Sequence, residues 1–371
     1  MSGDPVADGR ESAPLLEVDE LTVRFRAGSA IVHAVNGVSL TLMRGGTLGL
    51  VGESGCGKTV TSLAIARLLP ATGRVDRGYV RLDGVELLTL PEAAMRRIRG
   101  RDMAMVFQDP MSSLNPVLSI GEQISETLRA HARLARSAAR ERAAELLGQV
   151  GIPDPRAALA RYPHELSGGM RQRVMIAIAL ALEPKLLIAD EPTTALDVTI
   201  QAQVLDLIKR LTRELGTAVM LISHNLGVVA DMTQRIAIMY AGYVVEEAAT
   251  ADLFIRPRHP YTVGLLHSLP RPNAPDLVPI EGAPPDLRRA PRGCPFAPRC
   301  AWRLDACWTE MPALRTLDDR GGHSSSLPPD HRVACHNPVH EDEVAGGRPR
   351  GASYSGAPPT IPMPGRGAHH G

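Results

Sequence analysis

Gly52-Glu53-Ser54-Gly55-Cys56-Gly57-Lys58-Thr59 is the stretch that decides the fold of this chain. Apolar residues 48–51 run directly into it, and an apolar-periodic segment follows it as far as residue 69. Strand, glycine-rich loop and helix in this order predict a phosphate-binding loop, whose backbone N–H groups surround phosphates at a helix N-terminus. Lys58 would neutralise phosphate charge, and the Thr59 hydroxyl would help to bind Mg²⁺. We expect nucleotide contacts from these eight residues and from Val60.

A second motif supplies the carboxylates that such a site needs. The apolar run 186–189 ends in Asp190 and Glu191. A strand that ends there would deliver Asp190 to the Mg²⁺ shell, and Glu191 is then the candidate general base that polarises the attacking water. An Asp-Glu pair that only caps a turn is the structural alternative.

The hydrophobic pattern predicts an α/β, doubly wound core. Alternation over residues 16–25 and 35–42 predicts an antiparallel sheet ahead of the glycine-rich loop. Short apolar runs that end in functional side chains predict central parallel strands, at 48–51, 103–107, 186–189, 219–223 and 236–239. Helical spacing in an Ala-, Arg-, Glu- and Leu-rich stretch predicts a helical insertion at 120–150, and residues 170–182 predict a buried helix.

These patterns divide the chain into four parts. Residues 1–15 are predicted to be a flexible N-terminus, and residues 16–256 a nucleotide-binding domain with a helical subdomain at about 109–182. Proline content rises after residue 257, and four of the five cysteines lie between Cys294 and Cys335. We therefore predict a small C-terminal extension at 257–340, followed by a disordered tail at 341–371 that lacks periodicity.

Composition excludes several partners and locations. The formal net charge is +1 and only 3% of residues are aromatic, which argues against a nucleic-acid-binding protein. Residues 1–14 lack the basic head and apolar core of a secretory signal, so we expect the protein to stay in the cytosol. No apolar run approaches the roughly 20 residues of a membrane helix, so any membrane association is expected to be peripheral.

Five motifs in a fixed order carry a family resemblance. Between the glycine-rich loop and the carboxylates lies Leu166-Ser167-Gly168-Gly169-Met170-Arg171-Gln172-Arg173; Gln108 precedes it, and Asp190–Asp197 (DEPTTALD) and His224 follow. Together they closely resemble the ATPase subunits of ATP-binding cassette (ABC) transporters, over about residues 16–267. The resemblance implies a P-loop ABC-type ATPase core with an antiparallel β subdomain and a helical subdomain, which hydrolyses ATP with Mg²⁺.

The resemblance also implies that two such domains meet head to tail. Each nucleotide would lie between one subunit's phosphate loop and the other subunit's signature. Ser167, Gly168 and Gly169 would then offer N–H donors and a helix N-terminus to the partner's γ-phosphate. Asp197 would communicate across the dimer, although capping of a helix is the structural alternative.

Three further residues receive roles from the same resemblance. Gln108 would reach the Mg²⁺ and the attacking water, and a polar residue at a strand end is the alternative. His224 would contact the γ-phosphate and position Glu191, or it is a hydrogen-bonded core histidine. Phe25 would stack on adenine, although its place in an alternating strand also suits ordinary core packing.

Two segments narrow the resemblance to importers of dipeptides, oligopeptides and similar solutes. They are residues 106–116 (VFQDPMSSLNP) and 258–262 (RHPYT). This subfamily implies a second cassette subunit that is a paralogue of this one, with two transmembrane permeases and an extracytoplasmic solute-binding protein. The chain would lie at the cytoplasmic face of the membrane. A nickel or other solute importer is the alternative, and a cassette ATPase acting on DNA or ribosomes is disfavoured by the short helical insertion and single cassette.

Four cysteines in the extension are spaced C-x5-C-x6-C-x27-C. They are Cys294, Cys300, Cys307 and Cys335. A reducing cytosol makes a disulfide framework improbable, and the spacing lacks the C-x2-C pairs of common zinc ribbons. Four thiolates suffice for a [4Fe–4S] cluster, which some dipeptide-importer ATPases resembling this chain carry. Zinc, unliganded thiols, and substitution of a cysteine by His331 or His336 remain alternatives.

Overall fold

The computed structural model describes residues 13–109, 113–194, 196–269, 279–316 and 330–340. Most of the predicted flexible N-terminus and the whole of the predicted tail at 341–371 lie outside these ranges. The strands are β1 Leu16–Ala27, β2 Ala30–Leu42, β3 Thr47–Val51, β4 Gly73–Leu82, β5 Val85–Glu86, β6 Met103–Val106, β7 Leu186–Asp190, β8 Ala218–Ser223, β9 Arg235–Tyr240, β10 Tyr243–Ala249, β11 Arg315–Thr316 and β12 Arg332–Val333. The α-helices are α1 Lys58–Ile65, α2 Glu92–Ile98, α3 Ile120–Ala132, α4 Arg136–Gln149, α5 Pro155–Ala158, α6 Gly168–Leu180, α7 Val198–Leu215, α8 Leu226–Met232, α9 Thr250–Ile255 and α10 Pro260–His267.

The predicted α/β core is confirmed. Five parallel strands in the order β6-β7-β8-β3-β9 form the centre of the large sheet, and the predicted apolar runs fall on them. Because parallel strands bring their carboxyl ends to one edge, the phosphate loop after β3 and the carboxylates at the end of β7 lie together.

The predicted antiparallel sheet is also present, in the order β2-β1-β4-β5. Strand β1 pairs with both β2 and β4 and shifts register at several points, as at a β-bulge. The alternating apolar side chains of β1 and β2, such as Leu21 and Val38, are fully buried in a core shared with α1. This sheet therefore covers one side of the helix that follows the phosphate loop.

The helical insertion predicted at 120–150 contains α3 and α4, and α6 follows it. Helix α3 begins with a capping box in which the Ser119 side chain accepts the Glu122 N–H and the Glu122 carboxylate accepts the Ser119 N–H. Apolar faces of α3 and α4 pack together through Ile124, Leu128 and Leu147, which are buried. Helix α6 carries the signature at its N-terminus and is buried along most of its length, as residues 170–182 predict.

The segment after residue 257 is joined to the core sheet. Strand β12 pairs antiparallel with β10, which itself pairs with β9. The Glu246 side chain on β10 is completely buried and accepts the backbone N–H groups of Arg258 and His259. No helix in the described part of the chain is long and apolar enough to span a membrane.

Candidate active site

The phosphate loop connects β3 to α1, and at one position its backbone conformation allows only glycine. Gly57 has φ +107°, and a Cβ there would lie 2.4 Å from the Ala34 carbonyl oxygen. Lys58 is buried, and its Nζ donates to the carbonyl oxygens of Gly52 and Glu53 at 2.7 and 2.9 Å. The lysine ammonium therefore lies against the loop.

The remaining loop residues differ in exposure. Ser54, Gly55 and Thr59 are exposed, whereas Val60 is partly buried against the core. Cys56 is buried, and burial raises the pKa of its thiol despite the neighbouring Lys58 ammonium. Ser54, Gly55 and Thr59 are thus accessible to an anionic ligand at the N-terminus of α1.

Two of the three candidate Mg²⁺ ligands in the cassette core, Thr59 and Asp190, lie side by side. Thr59 Oγ1 and Asp190 Oδ1 are 3.3 Å apart. Asp190 is 2% exposed, and burial raises the pKa of its carboxyl while the hydrogen bond from Thr59 lowers it. A hydroxyl oxygen and a carboxylate are the hard oxygen donors that Mg²⁺ prefers.

Glu191 is at the centre of a hydrogen-bonded group. Its carboxylate accepts Gln108 Nε2 at 3.2 Å and Thr194 Oγ1 at 2.8 Å, and it lies 3.2 Å from His224 Nδ1. Burial alone would raise its pKa, but the hydrogen bonds from Thr194 and His224 outweigh this and lower the pKa overall. The carboxylate is therefore ionised at neutral pH and can accept a proton.

The backbone of Glu191 is in the left-handed region, with φ +44°. Non-glycine residues adopt this conformation only where surrounding contacts hold them there. Its N–H donates to the Ile222 carbonyl oxygen on β8 at 2.9 Å, which anchors the residue as the chain leaves the sheet. The sheet thus turns the side chain towards Gln108 and His224.

The signature residues lie at the N-terminus of α6. The Ser167 hydroxyl accepts the Met170 N–H and caps the helix, while Ser167 and Gly168 are exposed. Gly169 packs closely on α7, because a Cβ there would lie 2.8 Å from Ile200 Cγ2. Asp197 caps α7 by accepting the Ile200 N–H at 2.9 Å.

Phe25 lies in β1 of the antiparallel sheet. Its ring covers Gly73, where an added Cβ would lie 2.6 Å from the ring, and it packs partly buried against the core. These contacts satisfy the packing alternative, and adenine stacking stays a prediction.

Three residues near the site were not predicted from the sequence to have a role there. Thr194 donates to Glu191, and its place within DEPTTALD was the available signal. Tyr261 and Arg299, from the extension, both contact Glu53 of the phosphate loop. Tyr261 belongs to the RHPYT segment, but no local pattern pairs Arg299 with a residue so distant in sequence.

The four cysteines of the extension are buried or partly buried. Burial raises the pKa of the Cys294 and Cys300 thiols, and raises that of Cys335 to about 12. Backbone N–H groups donate to the sulfurs, including those of Leu304 to Cys307 and Asn337 to Cys335, both at 3.4 Å.

Within the described ranges, however, no three His, Cys, Asp or Glu residues form a group that could hold a metal ion. The predicted iron–sulfur cluster therefore has no geometric support. The two histidines considered as alternative ligands form other hydrogen bonds. His331 Nε2 is hydrogen-bonded to Glu246 at 2.8 Å, and His336 Nε2 to the Glu310 carbonyl oxygen at 3.0 Å.

Comparison with known proteins identifies the family. Over 308 residues the chain is 51% identical to the dipeptide transport ATP-binding protein DppD of Bacillus subtilis, covering 82% of this chain and 92% of that one. This chain is an ABC transporter ATP-binding protein. The ABC transporter family model matches residues 35–194 of the cassette, and the model for the oligopeptide/dipeptide transporter C-terminal region matches residues 245–307.

Other relatives of the cassette agree. The oligopeptide transport ATP-binding protein OppD of Mycobacterium tuberculosis is 51% identical over 327 residues, which cover 87% of this chain and 52% of that protein. A dimeric post-hydrolysis state of the ATP-binding cassette MJ0796, bound to ADP and Pi, superposes with a TM-score of 0.58 at 29% identity. That match covers 63% of this chain and 98% of the other. The cassette is therefore an ATPase, as the motifs predict.

Proposed function

We propose that this ATPase energises the import of dipeptides or oligopeptides across the cytoplasmic membrane. The observation that carries the proposal is the match of residues 245–307 to the C-terminal region of oligopeptide and dipeptide transporters. The similarity to DppD extends over most of both chains and supports the same conclusion.

In the proposed reaction, Lys58 and the N-terminus of α1 bind the β- and γ-phosphates. Thr59 and Asp190 would hold Mg²⁺, which supplies charge neutralisation at the phosphates when bound. Glu191 accepts a proton from the attacking water, and Gln108 and His224 orient its carboxylate through their contacts of 3.2 Å. A water bound between Glu191 and the γ-phosphate would be the nucleophile of an in-line attack.

The second half of each site would come from another cassette subunit, a paralogue in the proposed complex. Ser167 and Gly168 are exposed at the N-terminus of the 13-residue helix α6, where N–H groups and the helix dipole favour an anion. Asp197 begins α7, and the neighbouring Val198 is 83% exposed. The N-termini of α6 and α7 are adjacent and exposed, so both are accessible to a partner subunit.

Two permeases and an extracytoplasmic solute-binding protein would complete the importer, with this chain peripheral at the cytoplasmic face. A groove of about 400 Å³ between the segment that follows α1, strand β6, and helices α3 and α6 suits a permease helix. Its apolar lining includes Leu68, Phe107 and Ile178. Phe107 directly precedes Gln108, whose side chain donates to Glu191. A permease helix that contacts Phe107 in the groove would therefore lie one residue away from this hydrogen-bonded group.

Groove docking is tested by membrane co-sedimentation with the permeases. Ala130→Arg places a long cation in the groove from an exposed position, and Ala132→Arg adds the same charge at an exposed position of α3 outside the lining. We expect Ala130→Arg to reduce co-sedimentation and Ala132→Arg to leave it unchanged. Equal retention of both variants would contradict the docking proposal.

Transport is tested by reconstituting the chain with permeases, cassette partner and binding protein from neighbouring genes. We expect ATP-dependent uptake of a labelled di- or tripeptide into proteoliposomes, abolished by Glu191→Gln in this subunit if this ATP site is required. Uptake of nickel but not peptides would reject the peptide assignment. If no permease copurifies with the chain, the importer assignment itself fails.

For the extension we propose a [4Fe–4S] cluster bound by Cys294, Cys300, Cys307 and Cys335. The support is chemical: the four thiols are buried or partly buried, and backbone N–H groups donate to the Cys307 and Cys335 sulfurs. Anaerobically purified protein should absorb near about 400 nm and contain iron and sulfide, both lost in Cys300→Ser. Colourless protein containing stoichiometric zinc, or no metal at all, would refute the cluster.

A further inference from the structure

Glu53 of the phosphate loop is held at three points, and two of its partners belong to the extension. Its backbone N–H donates to Tyr261 Oη at 2.9 Å, and its carbonyl oxygen accepts Lys58 Nζ at 2.9 Å. Its carboxylate accepts Arg299 Nη1 at 2.7 Å and Nη2 at 3.0 Å, a bidentate ion pair. The conformation of the loop therefore depends on residues far beyond it in sequence.

Arg299 is itself fixed on every side. Its Nη2 donates to the Ile280 carbonyl oxygen at 3.1 Å, and its Nε to that of Glu281 at 3.0 Å. Nη1 also donates to Tyr240 Oη at 3.3 Å, and the guanidinium lies 5.8 and 5.9 Å from the Tyr240 and Phe296 rings. Because the side chain is only 5% exposed, it can hold Glu53 with little further loss of rotamer entropy.

The backbone that carries Arg299 belongs to the cysteine-bearing segment. Arg299 ends the 3₁₀ turn Ala297–Arg299, directly between Cys294 and Cys300. The Cys294 N–H donates to the Cys307 carbonyl oxygen at 2.8 Å, and the Ala297 N–H to that of Cys294 at 3.1 Å. The fold of this segment thus sets where the guanidinium lies.

The charge of Glu53 explains why the loop needs this partner. A carboxylate in the phosphate loop repels the triphosphate unless a nearby cation neutralises it. Lys58 is required by the phosphates, so Arg299 is the cation bound to the Glu53 carboxylate. We propose that Arg299 is a positioning residue of the nucleotide site, neutralising Glu53 and fixing the phosphate loop, so that ATP affinity depends on the cysteine-bearing segment.

The first test measures binding of a fluorescent ATP analogue with Mg²⁺, and steady-state ATPase activity, in the full chain. We expect Arg299→Gln to raise Kd and KM for the nucleotide about tenfold with kcat little changed, because the lost contact acts on binding. Arg299→Lys should lie between wild type and Arg299→Gln, since it keeps the charge but loses the bidentate geometry.

Charge rescue separates this role from simple loss of packing. The Glu53→Gln/Arg299→Gln double variant should bind nucleotide within about threefold of wild type, because it removes the carboxylate that Arg299 neutralises. Arg292→Gln is the matched control in the same segment, because it removes the same charge from an exposed position. The proposal is overturned if Arg299→Gln binds like Arg292→Gln, or if the double variant binds no better than Arg299→Gln.

Two more variants complete the test. One removes a contact of Glu53 without disturbing the packing, and the other tests whether the cysteine-bearing segment acts through Arg299. Tyr261→Phe keeps the buried ring and removes only the hydroxyl that accepts the Glu53 N–H, so it should weaken binding about threefold. Cys300→Ser should weaken nucleotide binding in the wild-type background but add nothing to Arg299→Gln, because both act through the same side chain. Additive losses would refute the link, and these binding measurements are independent of which solute is transported.

Discussion

Glu246 joins the extension to the cassette sheet, and its removal should destabilise the whole chain. The side chain is completely buried on β10. Oε1 accepts the Arg258 N–H at 2.7 Å and lies 2.8 Å from His331 Nε2, while Oε2 accepts the His259 N–H at 2.9 Å. The Glu246→Ala variant therefore leaves two backbone donors and one imidazole without these acceptors.

The size of the effect follows from that count. Each buried donor left unpaired costs about 1–3 kcal/mol, and breaking a buried charged group costs about 3–5 kcal/mol in total. We expect Glu246→Ala to lower the free energy of unfolding by about 4 kcal/mol and Tm by about 5 °C. Glu246→Gln should lose less, because its amide oxygen still accepts one of the three bonds.

Thermal and urea denaturation of the full chain measure this loss. Glu145→Ala is the control, because Glu145 is 54% exposed and pairs with Arg142 on the surface, where a salt bridge contributes about 0–1 kcal/mol. Hydrogen exchange of residues 258–267 should accelerate in Glu246→Ala and stay unchanged in Glu145→Ala. A loss of stability no larger than that of Glu145→Ala would refute the reasoning.

Three other perturbations test the active site and its surroundings. Glu191→Gln should reduce kcat about 10²–10⁴-fold while nucleotide Kd stays near wild type, and near-normal phosphate release would reject Glu191 as the base. Gly57→Ala forces a Cβ to within 2.4 Å of the Ala34 carbonyl oxygen at φ +107°, so calorimetric titration should detect much weaker ATP binding; wild-type affinity would contradict this. Burial lowers the pKa of His259 from 6.5 to about 4, so the unfolded chain takes up a proton first as pH falls. About 3 kcal/mol of stability, fully present above pH 6.5, should be lost by about pH 4 in wild type and not in His259→Gln, as urea titrations at several pH values would measure.

Much of the fold was predictable because its elements have local signatures. The apolar runs that became β3, β7 and β8 are short and continuous, as strands buried on both faces must be. The glycine-rich loop fixed both the strand before it and the helix after it. By contrast, β12 comprises only Arg332–Val333 and has no alternating pattern, since pairing with β10 defines it.

The active site likewise has residues that the sequence alone predicts and contacts that only the folded chain shows. Lys58, Thr59, Asp190 and Glu191 could be selected from the sequence because their chemistry depends on residues adjacent to a strand end or helix start. The contacts of Glu191 with Gln108 and His224 required the assembled sheet, which brings separate strand ends to one edge. Its pKa is lowered both by the local hydrogen bond from Thr194 and by the contact with His224 that the assembled sheet provides.

By itself the sequence determined the family, the nucleotide-binding chemistry and the order of the core strands' motifs, because short-range spacing encodes each of them. Only the tertiary structure decided that the extension reaches the phosphate loop. Glu53 and Arg299 are 246 residues apart, and a local pattern cannot encode a contact over that distance. The pair forms because packing of Tyr240, Tyr261 and Phe296 brings the cysteine-bearing segment against the loop.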